Sequence, residues 1–76
     1  MLRIYVFQIR LRIAVGLKIR KFRIQRNLSQ EALAVKAGLP PNYLSLLERG
    51  GANVSVDSIE KLSKVLRVKP FELLKD

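Results

Sequence analysis

The side chains in this sequence that could do chemistry are overwhelmingly cationic. Fifteen Lys and Arg stand against six Asp and Glu in 76 residues, a formal net charge of +9. Proton transfer and metal binding have little to work with, since there is no His and no Cys and the six carboxylates are scattered. The usual general bases, zinc ligands, thiolate metal sites and disulfide frameworks are thereby removed. Neither an enzyme nor a metal or cofactor site is expected. The cations are also unevenly placed. Residues 1–26 hold Arg3, Arg10, Arg12, Lys18, Arg20, Lys21, Arg23 and Arg26 with no acid, whereas residues 27–76 hold seven bases and six acids. A field so one-sided attracts polyanions, either nucleic-acid phosphates or an anionic membrane surface.

The chain that must position these charges is short enough for one domain with one modest core. Apolar residues make up 49% of it, too many for a disordered tail and enough for a packed helical interior. The longest apolar run near the start, Ile4-Tyr5-Val6-Phe7, is far shorter than a membrane helix needs. Arg10 and Arg12 interrupt what would otherwise be a signal-peptide apolar region, and no small-residue cleavage site follows. The sequence therefore reads as soluble and cytoplasmic, with no membrane partner; a basic amphipathic anchor on residues 1–26 is the weaker alternative.

Residues 1–9 read as an N-terminal extension and residues 10–76 as the domain proper. Tyr5, Phe7, Ile9 and Leu11 alternate with Gln8, Arg10 and Arg12, which predicts a strand over about residues 2–8. The same stretch also fits a helix, with Phe7, Leu11, Val15, Ile19 and Phe22 at spacings of four, four, four and three. A lone strand cannot satisfy its backbone groups, so the strand reading requires pairing with a second subunit. A helix is expected from near residue 10 to Gln25. Ser29 caps a short helix that Gly38 ends, Pro40-Pro41 opens another that stops at Arg49-Gly50-Gly51, and Ser55 caps a fourth. In that fourth helix Val56, Ile59, Leu62, Val65 and Leu66 form one apolar stripe. Pro70 leads a final turn bearing Phe71, Leu73 and Leu74.

Two short helices joined by a Gly-containing turn over residues 29–49 have the geometry of a helix-turn-helix. The residues within it are more specific than the spacing. Leu28-Ser29-Gln30-Glu31-Ala32-Leu33-Ala34, then Ala37-Gly38-Leu39, then Tyr43-Leu44-Ser45-Leu46-Leu47-Glu48-Arg49-Gly50 closely resemble the Cro/CI-type (XRE-like) helix-turn-helix family. The resemblance covers about residues 15–74, and the chain's small size and the segment Arg49 to Ser55 are similar to the controller proteins of restriction–modification systems, with phage-type and plasmid-type repressors equally open. It implies an all-α, five-helix, lambda-repressor-like domain that binds double-stranded DNA as a homodimer, without a small-molecule ligand. Helix 41–49 is then the one that enters the major groove. Leu44 and Leu47 would hold it from behind, leaving Pro41, Asn42, Tyr43, Ser45, Leu46 and Arg49 outward. Asn42 is the candidate base reader, because a carboxamide pairs bidentately with adenine. Leu46 or the Tyr43 ring could meet a thymine methyl, and Ser45 a base or a phosphate.

Gln30, at the start of the preceding helix, matches a family position that touches the operator, and Arg20, Arg26 and Asn53 are further candidate contacts. Pro40 and Pro41 stand where the family often has polar caps or contact residues, and Leu46 where it often has a polar reader. Arg23 and Glu48 match a family ion pair that braces the first helix against the recognition helix. Asn53 could instead serve only its turn, since Asn tolerates a left-handed backbone, and Tyr43 could be a rim packing residue. Phe71, Leu74 and Val68 are the candidate dimer surface, together with the N-terminal strand. The rival reading is an antitoxin-like or adaptor module whose strand docks a partner sheet.

Overall fold

A computed structural model of the protein describes residues 2–75, and among them every regular element is helical: α1 (Leu2–Gln25), α2 (Gln30–Ala37), α3 (Pro41–Glu48), α4 (Val56–Leu66) and α5 (Pro70–Leu74). The boundaries sit where the capping chemistry puts them. Ser29 Oγ accepts the Ala32 N–H at 3.0 Å and Ser55 Oγ accepts the Ser58 N–H at 3.0 Å, each satisfying an orphan donor of a first turn. Pro41 occupies the first position of α3, where its missing N–H costs nothing. Gly38 ends α2 in the left-handed conformation (φ 68°), and Leu39 N–H then returns to the Ala34 carbonyl at 2.9 Å.

All five helices contribute to one core. Val15 and Ile19 come from α1, Leu33, Ala34 and Ala37 from α2, Leu44 and Leu47 from α3, Ile59, Leu62 and Leu66 from α4, and Leu73 from α5. Each fully buried Leu or Ile adds roughly 1.5–3 kcal/mol of hydrophobic stabilisation, so the four helices after α1 draw their stability from tertiary packing rather than propensity. The α4 stripe is narrower than the sequence predicts: Val56, in the first turn, is 75% exposed.

The expected strand over residues 2–8 is a helix instead, and α1 runs unbroken across the boundary placed between residues 9 and 10. Alternation and four-residue spacing coexist in this stretch, and the competition is decided by the backbone. A helix satisfies its own N–H and C=O groups, whereas a solitary strand leaves them without partners. The strand-addition reading, and the strand as a dimer surface, lose their strand. α1 is about 36 Å long at 1.5 Å per residue, close to the 38 Å long axis of the molecule. Among its residues whose burial is described, buried positions begin at Val15, so its first turns project past the core, with Ile4, Val6 and Phe7 exposed.

Candidate nucleic-acid interface

α2, the turn at Gly38 and α3 form a helix-turn-helix whose second helix is fixed on its inner side by apolar packing, a close helix approach and an ion pair. Leu44 and Leu47 are buried in the shared core. At Gly16, α1 and α3 approach so closely that a Cβ there would lie 2.3 Å from the Leu47 carbonyl oxygen. Glycine is the residue this contact admits. Two turns further along α1, Arg23 grips the end of α3. Its Nε donates to Glu48 Oε2 at 2.6 Å and its Nη2 to Oε1 at 3.0 Å, while its Nη1 donates to the Leu28 carbonyl at 2.8 Å. This two-pronged pair is well shielded, with side-chain exposures of 13% for Arg23 and 3% for Glu48. Gln30 Nε2 completes the carboxylate's shell at 3.1 Å from Oε1. Gly50 (φ 75°) then turns the chain, and Gly51 N–H returns to the Leu46 carbonyl at 2.9 Å, closing the C-terminal end of α3.

The outer side of α3 is open. Asn42, Leu46 and Arg49 are exposed and Ser45 is half-buried; their spacing of three to four residues places all four on one face, opposite Leu44, Leu47 and Glu48. Pro41 is exposed beside them. The helix is eight residues, about 12 Å long, and a helix's diameter with side chains, about 10–12 Å, suits a major groove about 12 Å wide. The sole carboxylate in α3, that of Glu48, is turned inward and neutralised by Arg23, so the outer face carries no negative charge of its own. Arg20 is exposed on α1, one turn beyond Gly16 and hence on the side of α1 that meets α3.

The structure draws some of the expected contact residues partly into the protein. Gln30 spends one of its two amide protons on Glu48, leaving the second. Arg26 is exposed, yet its Nε donates to the Leu66 carbonyl at the end of α4, 2.8 Å away, a tie that sequence reading missed. The side chain of Asn53 is exposed, but its backbone carbonyl accepts the Tyr43 hydroxyl at 3.0 Å. Among the described residues the non-glycine left-handed positions are Asn27 and Arg67, not Asn53. The turn role considered for Asn53 on that ground therefore falls to Asn27, which ends α1. Phe71 and Leu74 are exposed on α5 and Val68 is half-buried. Beside them an open groove of about 660 Å³ between α4 and α5 is lined by Val54, Val56, Ile59, Val68, Pro70 and Leu74, among others. Among the described residues no His, Cys, Asp or Glu cluster could hold a metal ion, and no helix is long and apolar enough to cross a membrane.

Comparison with known proteins gives matches over this same body. A helix-turn-helix family model matches residues 19–73. Control protein C.BamHI of Bacillus amyloliquefaciens is 48% identical over 65 residues, spanning 84% of this chain and 80% of that protein. The crystal structure of C.AhdI from Aeromonas hydrophila, a restriction-modification controller protein, superposes with a TM-score of 0.79 at 40% identity, covering 82% of this chain and 94% of the other. The structure of SinR, master regulator for biofilm formation, in complex with DNA superposes with a TM-score of 0.78 at 39% identity, covering 80% and 98% of the two chains.

Proposed function

The chain belongs to the helix-turn-helix family of DNA-binding regulators, and from that premise we propose that it binds a palindromic operator as a homodimer, laying α3 in the major groove of each half-site. The observation that carries this reading is the two-sidedness of α3: an inner side locked by Leu44, Leu47 and the Arg23–Glu48 pair, and an outer side on which Asn42, Leu46 and Arg49 are exposed and Ser45 is half-buried. Asn42 reads adenine through its carboxamide, Leu46 meets a thymine methyl, and Ser45 bonds to a base edge or phosphate. Pro41 and Tyr43 border this set. Arg49, Arg20, Asn53, the free N–H of Gln30 and the outward N–H groups of Arg26 hold the phosphates on either side, fixing register rather than reading sequence. The similarity to control proteins such as C.BamHI and C.AhdI supports a controller role within a restriction–modification system.

Dimerisation follows from size. A single short recognition helix buries too little surface for tight specific binding, and Phe71, Leu74 and Val68 offer an apolar patch continuous with the α4–α5 groove. Selection of bound duplexes from a random pool tests the whole reading. Two inverted half-sites, with centres about 10 base pairs apart or a multiple of that, are the expected outcome. An enriched motif without symmetry would remove the dimer, and no enrichment would remove sequence-specific binding. Leu74→Lys should shift sedimentation toward the monomer and weaken operator binding together.

A further inference from the structure

Tyr43 lies next to the proposed base reader, yet its hydroxyl points away from the open side of α3. It donates to the Asn53 carbonyl at 3.0 Å and lies 3.1 Å from Ser58 Oγ, which in turn is 2.8 Å from Ser55 Oγ. The proton directions are settled by counting. A phenol has one O–H, and Tyr43 gives it to the Asn53 carbonyl. Ser58 must then donate to the phenol oxygen, and Ser55 to Ser58. The three hydroxyls thus form one directed chain from the cap of α4 to the loop after α3, in which each bond polarises the next.

We propose that Tyr43 is a positioning residue: its hydroxyl fixes the angle of α3 against α4 and the 49–55 loop, so that operator preference depends on a hydrogen bond made inside the protein. This rests on the DNA-binding reading above. Two features of α3 make the bond consequential. Its N-terminal cap is Pro40, which supplies no side-chain hydrogen bond, and Pro41 supplies no N–H. The Arg23–Glu48 pair holds only the far end of the helix. At the near end, where Asn42 must meet its base, Tyr43 is the residue whose side chain ties α3 to the rest of the fold by hydrogen bonding. A phosphate oxygen accepts and cannot donate, so a phosphate contact through this hydroxyl would break the bond to Asn53. Ser58 is buried, at 3% exposure, and out of reach of any duplex.

The test compares Tyr43→Phe, Ser58→Ala and the double variant, in the full chain and well below their melting midpoints. Each is titrated with the duplex the wild type selects and with an unrelated duplex. Loss of one net hydrogen bond corresponds to roughly a two- to twelvefold loss of affinity, expected in both single variants for the selected duplex. The double variant should lose little more than the worse single one. The loss should spread over the half-site, the salt slope should stay the same, and amide exchange of α3 in the free protein should quicken in both. Wild-type binding by Ser58→Ala alongside weak binding by Tyr43→Phe would overturn the proposal, by showing that the phenol touches DNA itself. So would a salt slope reduced by about one, the mark of a lost phosphate contact, or a preference lost at a single base pair. Variants that bind and exchange like the wild type would show the hydroxyl chain to be idle. A wild type that prefers no duplex would overturn the operator reading instead, and the exchange measurement would still decide whether the hydroxyl holds α3.

Discussion

Gly16→Ala sets two known effects against each other and the structure decides which wins. In a helix interior, Ala is favoured over Gly by about 1 kcal/mol, so on propensity alone the substitution stabilises α1. The new methyl group, however, would lie 2.3 Å from the Leu47 carbonyl oxygen and 2.8 Å from that of Glu48, where ordinary contact begins at 3.4 Å. Both are backbone atoms and cannot rotate aside, so α1 and α3 must part by about 1 Å, loosening Leu47 and the Arg23–Glu48 pair together. Overpacking of this kind costs about 1–3 kcal/mol, and a backbone obstacle places it at the upper end. The net expectation is destabilisation by about 2 kcal/mol, or about 8–16 °C in melting temperature for a domain of this size. Thermal and urea melts followed by circular dichroism measure it directly, with a peptide of residues 10–25 as control, where the same substitution should raise helicity. An unchanged or higher melting temperature in the full chain would refute the close-approach argument.

Other expectations follow from the same interface. Glu48→Ala leaves the Arg23 guanidinium shielded and unpaired and should cost about 3–5 kcal/mol of stability, read from urea midpoints; a loss below 1 kcal/mol would mean that the pair is solvated. Asn42→Ala should relax preference by about 1–3 kcal/mol at one base pair per half-site, with an unaltered binding-site profile counting against Asn42 as the reader. Duplex affinity should fall by about 10³-fold or more between about 50 and 200 mM salt if several phosphates are neutralised; a flat titration would contradict the phosphate contacts assigned to Arg20, Arg26 and Arg49.

Much of this fold was legible because its boundaries are local chemistry. Ser29, Gly38, the Pro40-Pro41 pair and Ser55 each act on their own turn, and each does in the structure what its residue type predicts. Residues 2–8 differ from expectation for the opposite reason: Phe7, Ile9 and Leu11 fit two periods at once, and only backbone satisfaction separates them. Long-range ties were the least visible. Nothing adjacent to Arg26 announces the Leu66 carbonyl forty residues away, and nothing near Tyr43 announces Ser58. Gly16 did leave a signal, a lone glycine within a helical pattern, which often marks a close approach. Most of the outward face of α3 was readable from spacing, because its sides are fixed by which residues the core must take; Tyr43, expected outward, is instead half-buried with its hydroxyl tied to Asn53 and Ser58.

The residues that hold α3 in place and those on its open side are disjoint sets, Tyr43, Leu44, Leu47 and Glu48 in the first and Asn42, Ser45, Leu46 and Arg49 in the second. Folding constrains the first set and leaves the second almost free, so new combinations at those four outward positions can be tried without risking collapse of the scaffold. Such an architecture separates address from chassis. Randomising the four outward residues on this 76-residue body would yield a library whose members mostly fold and differ chiefly in the operator they choose.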